Sequence, residues 1–309
     1  MKIVISNSTN NNILDNRYII LKKVDFGATS SLYKVLDKKT NEIKAAKVFS
    51  EGKNIEFQQE LNILNSIPDS PFIIKYYSSG EGPLIMEETV KRKYVILEYA
   101  NNSLFKIRQS MNSISEDTCK YIFYQIILAI KSLHEKGICH RDIKLENILF
   151  VGDNYKLKLC DFGYSTSLFD SNNNKIKLND MAGSPYHFAP EILVYRPYDG
   201  EKIDIFCAGV TLYSLMIGRF GFYEASRNDD SYKLIMKKKY DEYWDILDKD
   251  KKLSNEFKEL YIKMVSYVPK ERPSIDQIIN CEWLKDIREA NEEKLKYYQT
   301  KMINELKGE

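Results

Sequence analysis

Two short segments constrain this chain more than any other feature: residues 140–149, which read His-Arg-Asp-Ile-Lys-Leu-Glu-Asn-Ile-Leu, and the Asp-Phe-Gly tripeptide that begins at Asp161. Asp142 is a candidate base that could orient a hydroxyl group and accept its proton. Asn147 and Asp161 carry the hard oxygen atoms that Mg²⁺ prefers, and Lys144 is a cation suited to offset transferred charge. Two carboxylates, an amide and a lysine within reach of each other are what the transfer of a phosphoryl group from a nucleotide requires.

These segments resemble the His-Arg-Asp-Leu-x-x-x-Asn and Asp-Phe-Gly motifs of the eukaryotic protein kinases almost letter for letter. Either tripeptide alone is weak evidence, whereas both together, in order and at the usual short separation, are strong. The resemblance covers roughly residues 18–287. It implies an α+β fold with two lobes, a small antiparallel-sheet N-lobe with one major helix and a larger, mainly helical C-lobe, with a nucleotide cleft between them. It also implies ATP and Mg²⁺ as cofactors.

The apolar pattern of the first part of the chain predicts strands. Between residues 18 and 49, short apolar and β-branched runs separated by turn residues predict three antiparallel strands. A helical stripe runs from Phe57 to Ile67 and ends before Pro68. Two more strands are predicted at 73–77 and 94–99, with a loop containing Gly and Glu between them. The first part is therefore predicted to be a small sheet with one helix.

The second part of the chain is predicted to be mainly helical. Ser115 offers an N-terminal cap for a long helix at 118–133 that ends before Gly137. The other predicted helices are 203–217, 232–236, 257–265 and 275–279. The domain prediction comprises a disordered tail at 1–16, a kinase domain at 17–288 (N-lobe 17–98, hinge 98–103, C-lobe 104–288) and an amphipathic helix at 289–309.

The resemblance assigns nucleotide-binding roles to residues on both sides of the predicted hinge. Lys47 matches the strand lysine that holds the α- and β-phosphates, and Glu60 matches its helix partner. The glycine-rich loop departs from the family pattern, because only Gly27 remains and Asp25 and Ser30 replace the other two glycines. The charge of Asp25 near anionic phosphates predicts a modest affinity for ATP. The other residues assigned to nucleotide binding are Val24, Leu32, Ala45, Glu98, Ala100, Leu149 and Cys160.

The resemblance also has implications for the amino acid that accepts the phosphoryl group and for the regulation of activity. Lys144 and the segment 183–185, Gly-Ser-Pro, favour serine or threonine over tyrosine as the acceptor. His187 stands where the family usually has tyrosine. Asp180 occupies the usual phosphorylation position of the activation loop, where its carboxylate could be a standing partner for Arg141. We therefore expect appreciable activity without phosphorylation of this loop.

Two alternatives to a protein kinase enzyme are considered. A pseudokinase scaffold with weak nucleotide binding would account for the altered glycine-rich loop, but the chain retains Lys47, Asp142, Asn147 and Asp161. A small-molecule kinase of similar fold is disfavoured by the Gly-Ser-Pro segment and by Ala-Pro-Glu at 189–191, because both belong to peptide docking in the family. The sequence therefore favours the enzyme acting on Ser/Thr hydroxyls of protein substrates.

Composition and charge exclude further classes of protein. The net charge is +2, so general affinity for nucleic acid or membrane surfaces is not indicated. The five cysteines form no C-x-x-C pair, which disfavours a zinc site and a disulfide framework and is typical of a reducing compartment. No apolar stretch approaches the roughly 18 residues needed to span a bilayer. We expect a cytoplasmic protein without nucleic acid and without stable membrane insertion.

The predicted C-terminal helix carries one apolar stripe. Leu295, Tyr298, Met302 and Leu306 lie on the same side of a helix at this spacing. The stripe could pack on the C-lobe or dock a partner, and the sequence does not separate the two.

Overall fold

The computed structural model describes residues 13–67, 69–84, 90–250 and 252–308. Two units are distinguished: an N-terminal unit of Met1–Asn65 and Ile74–Ala100, and a C-terminal unit of Ser66–Ile73 and Asn101–Glu309. The segment Ser66–Ile73 was predicted in the N-lobe but belongs to the C-terminal unit. The N–H of Leu159 donates to the carbonyl of Phe72 (2.8 Å), which joins this segment to the C-terminal unit.

The N-terminal unit is a six-stranded antiparallel sheet with one helix. Its elements are β1 (Ile13–Leu14), β2 (Tyr18–Phe26), β3 (Ser30–Asp37), β4 (Glu42–Phe49), α1 (Asn54–Ser66), β5 (Tyr76–Pro83) and β6 (Lys91–Glu98). The strand order is β1-β2-β3-β4-β6-β5. The three strands predicted between residues 18 and 49 are confirmed. The turn between β3 and β4 contains Asn41 at φ +56°, a conformation that asparagine tolerates better than most residues.

Several boundaries in this unit differ from the prediction: the helix predicted at 57–67 is Asn54–Ser66, and the strand predicted at 94–99 is Lys91–Glu98. Residues 13–16 were assigned to a disordered tail, but Ile13 and Leu14 pair with β2 and Leu14 is fully buried. Residues 1–12 of that tail lie outside the described residues. The strand predicted at 73–77 begins instead at Tyr76 and continues to Pro83. It lies at the end of the strand order, where polar residues, glycine and a terminal proline are tolerated because, among the described residues, its second side is paired only at its end, by Asp15 to Pro83.

The core of the N-terminal unit lies on one face of this sheet. Tyr18 and Tyr94 pack edge to face with ring centroids 5.9 Å apart. Val35, Ala46 and Ile96 are fully buried in the same cluster. Because Lys47 follows Ala46 in a strand, its side chain points to the opposite face from this cluster.

The C-terminal unit is mainly helical. Its helices are α2 (Leu104–Ser110), α3 (Glu116–His134), α4 (Pro190–Leu193), α5 (Gly200–Ile217), α6 (Asp230–Met236), α7 (Tyr240–Leu247), α8 (Asn255–Met264), α9 (Ile275–Ile279), α10 (Lys285–Arg288) and α11 (Glu292–Lys307). Its short strands are β7 (Asn102–Ser103), β8 (Ile138–Cys139), β9 (Ile148–Val151), β10 (Lys156–Leu159) and β11 (Thr166–Ser167). They form a β10-β9-β7 sheet and a β11-β8 pair.

Helices α3 and α5 form the centre of this unit. The predicted cap of α3 is confirmed, because the Ser115 hydroxyl accepts the N–H of Thr118. Helix α5 is buried on nearly all sides, which suits its mainly apolar composition after Asp204, and it ends at Gly218 in the left-handed conformation. In the described part of the chain, no helix combines the length and apolarity needed to cross a membrane.

Helix α11 packs against α3. Tyr298, Met302 and Leu306 of the predicted stripe are buried, and Tyr298 stacks on Tyr121 of α3 at 6.3 Å. The carboxylate of Glu305 accepts the backbone N–H of Ser115 (3.0 Å). The apolar stripe could pack on the C-lobe or dock a partner, and the structure shows that it packs on the C-terminal unit. A partner-docking role for α11 stays a prediction.

Candidate active site

Asp142 lies in the loop between β8 and β9 and is almost completely buried. One carboxylate oxygen, Oδ2, accepts hydrogen bonds from Lys144 Nζ (2.7 Å) and from Asn147 Nδ2 (2.9 Å). The other, Oδ1, is buried and has no hydrogen-bond partner among the described residues. An unpaired buried oxygen is costly in a folded protein, so this atom is the one that a hydroxyl donor would satisfy.

Lys144 connects the loop of Asp142 to the segment at residues 183–185. Its Nζ also donates to the hydroxyl of Ser184 at 2.7 Å. Burial alone would lower the pKa of Lys144, but the hydrogen bond and the charge of Asp142 outweigh burial and raise the pKa above its ordinary value. The side chain therefore carries a positive charge at neutral pH, directly beside the candidate base and the predicted acceptor-binding segment.

The backbone that carries Asp142 is held in a strained conformation. Arg141 has φ +66°, a left-handed value that costs a residue with a side chain about 1–3 kcal/mol. The buried carboxylate of Asp204, on α5, accepts the N–H groups of His140 (2.9 Å) and Arg141 (2.6 Å). These two bonds offset the strain and fix the direction in which Asp142 points.

Asn147 and Asp161 are the residues that could hold a metal ion. Both N–H groups of the Asn147 amide are donated to Asp142, one to its carbonyl and one to Oδ2 (both 2.9 Å), so the amide oxygen is the atom left for a cation. The Asn147 carbonyl accepts the N–H of Cys160 (2.9 Å), which ties Asn147 to the residue before Asp161. The negative charge of Asp161 reaches Lys144.

This donor set fits Mg²⁺. The ion commonly takes one or two protein carboxylates and completes its shell with water and substrate phosphates. Among the described residues, no three His, Cys, Asp or Glu side chains cluster as a complete protein cage would require. One carboxylate with one amide oxygen is thus a partial set that a nucleotide's phosphates would complete.

The Asp-Phe-Gly segment is held by His140. The ring of Phe162 packs edge to face on His140, with centroids 5.2 Å apart. His140 Nε2 donates to the carbonyl of Cys160 (3.0 Å), and its Nδ1 accepts the N–H of Asp142 (3.2 Å). Since each ring nitrogen has one role, a single tautomer satisfies both bonds and links the two motifs.

In the N-terminal unit, Lys47 and Glu60 form a close ion pair. Lys47 Nζ lies 2.7 and 2.6 Å from the two Glu60 carboxylate oxygens. The Glu60 side chain is 3% exposed and that of Lys47 14% exposed. Strand β4 and helix α1 therefore bring together the two residues that the sequence assigned to phosphate binding.

The predicted adenine residues of the N-terminal unit lie on the same sheet face as Lys47. Leu32 is the cross-strand partner of Lys47, and Ala45 is two residues before it in β4. Neighbours across strands and alternate residues along a strand share a face. Val24 lies near the end of β2, Glu98 is the last residue of β6, and Ala100 ends the unit. The remaining two residues assigned to nucleotide binding, Leu149 in β9 and Cys160 after β10, are half-buried in the C-terminal unit.

The altered glycine-rich loop is the turn between β2 and β3. Asp25 Oδ1 accepts the N–H of Phe26 (2.8 Å), so one backbone N–H group of the loop is already hydrogen-bonded to this carboxylate. The N–H of Gly27 donates to the carbonyl of Ser30 (2.8 Å). A Cβ atom at Gly27 would meet nothing closer than 3.9 Å, so the protein's own packing does not require glycine here. The free space is consistent with an approaching ligand.

Arg141 and Asp180 form the ion pair that the sequence suggested. Arg141 Nη1 lies 2.7 and 2.8 Å from the two Asp180 oxygens. Burial would raise the pKa of Asp180, but the hydrogen bond from Arg141 outweighs it and lowers the pKa. Tyr198, which the sequence reasoning missed, accepts from Arg141 (3.1 Å) and donates to the Asp180 carbonyl (3.0 Å). No local motif marks this tyrosine, which precedes α5.

The segment after Asp180 approaches the Asp142 loop closely at Gly183. Gly183 has φ +108°, and a Cβ atom there would lie 2.4 Å from the Arg141 carbonyl oxygen. Four residues later, His187 is buried, and burial lowers its pKa to about 4. Farther along, Glu191 and Arg272 form a buried bidentate pair (both distances 2.7 Å).

Comparison with known proteins agrees with this geometry. Residues 18–284 match the family model of the protein kinase domain. The chain is similar to calcium-dependent protein kinase 5 of Plasmodium berghei, with 32% identity over 91% of this chain and 48% of that protein. It is 30% identical to serine/threonine-protein kinase SRK2E of Arabidopsis thaliana over 87% of this chain and 71% of that protein. Rice serine/threonine-protein kinase SAPK2 is 30% identical over 86% of this chain and 76% of its own length.

The fold and the residues around Asp142 are those of the two-lobed protein kinase class. The chain belongs to the protein kinase family. The predicted α+β kinase fold is confirmed. The chain spans about half the length of the Plasmodium relative and about three quarters of the two plant relatives described above.

Proposed function

We propose that this chain is an active serine/threonine protein kinase that transfers the γ-phosphoryl group of Mg·ATP to serine or threonine hydroxyls of protein substrates. The observation that carries the proposal is the arrangement around Asp142. One of its oxygens is held by Lys144 and Asn147 while the other is buried and unpaired. Two plant relatives, SRK2E and SAPK2, are named as serine/threonine-protein kinases, which supports the same acceptor class.

In the proposed reaction, Asp142 Oδ1 accepts a hydrogen bond from the substrate hydroxyl and then its proton. The bond between the hydroxyl oxygen and the γ-phosphorus forms as the bond from that phosphorus to the bridging oxygen of ADP breaks. Lys144, charged and 2.7 Å from both Asp142 and Ser184, stabilises negative charge on the transferred group. Ser184 is placed to contact the acceptor segment.

Asn147 and Asp161 are the residues that would hold Mg²⁺, which neutralises phosphate charge when bound. The Lys47–Glu60 pair would orient the α- and β-phosphates, because a lysine with a matched carboxylate keeps a fixed position and stays charged. Leu32, Ala45 and Leu149 would contact the adenine ring. The backbone between Glu98 and Ala100 would hydrogen-bond it, and Val24, Gly27 and Cys160 would line its surroundings.

The test is phosphate incorporation from Mg·ATP into a degenerate peptide library by the purified chain. The control is Asp142→Asn, which keeps the shape of the side chain but removes its basicity. We expect incorporation into serine and threonine peptides and a loss of at least 10³-fold in kcat for the variant, on the order expected for a lost general base with its electrostatic contribution.

A pseudokinase would give a different result. A folded preparation that binds nucleotide but transfers no phosphate to any peptide, with wild type and Asp142→Asn indistinguishable, contradicts the proposal. Phosphate on tyrosine peptides alone would contradict the assigned acceptor. Thermal unfolding of both proteins verifies that the comparison is between folded chains.

A further inference from the structure

Tyr198 is a buried residue that precedes α5 and contacts the activation loop, residues 164–190. Its backbone pairs with the loop, because the N–H of Tyr198 donates to the carbonyl of Leu178 (2.8 Å) and the N–H of Leu178 donates to the carbonyl of Tyr198 (2.9 Å). Its hydroxyl reaches Asp180, two residues farther along, and donates to the Asp180 carbonyl (3.0 Å). Tyr198 therefore holds the loop at two successive points.

The hydroxyl oxygen of Tyr198 completes a group of three oxygens around one nitrogen of Arg141. Arg141 Nη1 lies 2.7 and 2.8 Å from the two Asp180 carboxylate oxygens and donates to the Tyr198 hydroxyl oxygen at 3.1 Å. A phosphate group offers three acceptor oxygens, whereas a carboxylate offers two. The aspartate and the tyrosine together supply the number of oxygens that a phosphorylated residue would supply.

The guanidinium of Arg141 connects this contact to the candidate catalytic residues. Arg141 Nε donates to the carbonyl of Tyr164 (2.6 Å), the residue that follows the Asp-Phe-Gly segment. Because Nη1 and Nε are both engaged, the orientation of the guanidinium is fixed. Arg141 also precedes Asp142 in the chain, so its side chain and its backbone join the activation loop to the candidate base.

The Tyr198 hydroxyl uses both of its hydrogen-bonding roles at once. Burial raises the pKa of Tyr198 to about 12, so the hydroxyl is protonated at neutral pH. It therefore accepts from Arg141 while it donates to Asp180. Phenylalanine at this position would keep the buried ring but lose both bonds, and the polar groups left behind would lack these partners.

We propose that Tyr198 is a positioning residue for phosphoryl transfer, which together with Asp180 takes the place of an activation-loop phosphate and holds Arg141. The inference rests on the proposed kinase function and names the regulation of the same site. It goes beyond the Asp180–Arg141 pair, because it requires that the carboxylate acts fully only when the tyrosine hydroxyl is present.

The experiment compares Tyr198→Phe, Asp180→Ala and the variant that carries both changes, after phosphatase treatment. The measured quantities are kcat and the KM for ATP with a serine peptide, and the thermal unfolding of each variant. The matched control is Tyr232→Phe. Tyr232 is fully buried and its hydroxyl donates to the carbonyl of Val265 (3.0 Å), so this change also removes a buried tyrosine hydrogen bond, but one that involves neither Arg141 nor Asp180.

We expect Tyr198→Phe to lower kcat about tenfold, as for the loss of one hydrogen bond to a charged group, and to change the KM for ATP by less than about twofold. Since both changes act through Arg141, the double variant should lose about as much as the larger single loss, not the product of the two. A kcat of Tyr198→Phe within twofold of the wild type, or losses that multiply, overturns the inference. An equal loss of kcat in Tyr232→Phe overturns it as well, because any lost buried hydroxyl would then have the same effect.

Limited digestion with trypsin tests the same contact without catalysis. The side chain of Lys177 is 60% exposed and lies one residue before Leu178, so cleavage after it reports local opening of the loop. Cleavage should be severalfold faster in Tyr198→Phe and unchanged in Tyr232→Phe. Equal cleavage of Tyr198→Phe and the wild type overturns the inference alone. Failure of the folded wild type to phosphorylate any peptide overturns the proposed function, whereas the digestion still decides whether Tyr198 holds the loop.

Discussion

At the scale of the residue, Asp180 shows how one carboxylate can hold an activation segment. It occupies the position where the family usually carries a phosphorylated residue, and it contacts Arg141 with both oxygens. A carboxylate has about half the charge of a phosphate, and Tyr198 supplies further hydrogen bonds to the same pair. Arg141 in turn precedes Asp142, so the contact acts on the backbone that carries the candidate base.

Replacement of Asp180 by alanine should therefore lower kcat by roughly tenfold, which corresponds to about 1.4 kcal/mol in the activation free energy. The measurement is steady-state kinetics on protein treated with phosphatase, so that no phosphate replaces the lost charge. Asp180→Glu is the control, because it keeps the charge and should recover part of the rate. A kcat of Asp180→Ala within twofold of the wild type would show that the pair is not needed.

At this scale, the sequence predicted the contacts between residues that are close along the chain and missed a contact between distant ones. Asp142, Lys144 and Asn147 fall within six residues, so their meeting around one carboxylate could be expected from a motif. Asp180 could be predicted because its position in the activation loop is fixed relative to Ala-Pro-Glu at 189–191. Tyr198 was missed because its bond to Arg141 spans 57 residues and no pattern in either segment marks it.

At the scale of the element, the long helices with apolar faces were predicted well, whereas the polar or very short strands at the edges of the sheet were not. Helices α3, α5 and α11 have apolar stripes or continuous apolar runs, and their ends carry caps that sequence alone suggests. Strand β5, with Ser, Gly and Glu, has a composition typical of loops and forms only because β6 supplies its hydrogen bonds. Strand β1 is two residues long, too short for any periodicity to appear.

Helix α11 gives a prediction about stability. Met302 is 1% exposed at its contact with the C-terminal unit, so Met302→Ala should lower the free energy of unfolding by about 2–4 kcal/mol through lost burial and a residual cavity. Lys296→Ala is the matched control on the exposed side of the same helix and should change it by less than about 0.5 kcal/mol. Urea unfolding measures both. Equal effects of the two changes would show that α11 is not packed as described.

At the scale of the whole molecule, the fold class was predictable because its evidence is spread over the chain. A strand-rich first part and a helical second part indicate the two units before any contact is known. The exact division was not predictable: the last residue of α1, Ser66, and the segment that follows it up to Ile73 belong with the C-terminal unit. That assignment depends on backbone bonds between residues almost ninety positions apart, such as Leu159 to Phe72.

The stability of the whole chain should depend on pH through His187. Its pKa is about 4 in the folded state against 6.5 ordinarily, because burial outweighs the attraction of Asp142, and Lys144 opposes protonation as well. Between these values the unfolded chain binds a proton that the folded chain does not, so the free energy of unfolding falls as the pH falls from 6.5 toward 4. At pH 5 this one group should cost about 2 kcal/mol relative to pH 7.5.

His187→Phe keeps a ring against Phe220 and removes the titrating group. The difference in unfolding free energy between pH 7.5 and pH 5, measured in urea, should therefore be smaller in the variant by that amount. All other groups titrate in both proteins, so their contribution cancels in the comparison. Identical pH dependence in wild type and variant would mean that the imidazole is protonated equally in folded and unfolded chains.

The absent side chain at Gly183 limits how the chain can vary. A methyl group there would lie 2.4 Å from the carbonyl oxygen of Arg141. The backbone at Gly183 and the backbone at Arg141 are therefore too close for a carbon atom to fit between them. Burial places no such restriction on the exposed side chain of Tyr186, three residues later, whereas at Gly183 only a hydrogen fits without a shift of the backbone. The segment can therefore vary in sequence at its exposed positions, whereas a side chain at Gly183 would have to displace the backbone of Arg141, the residue before Asp142.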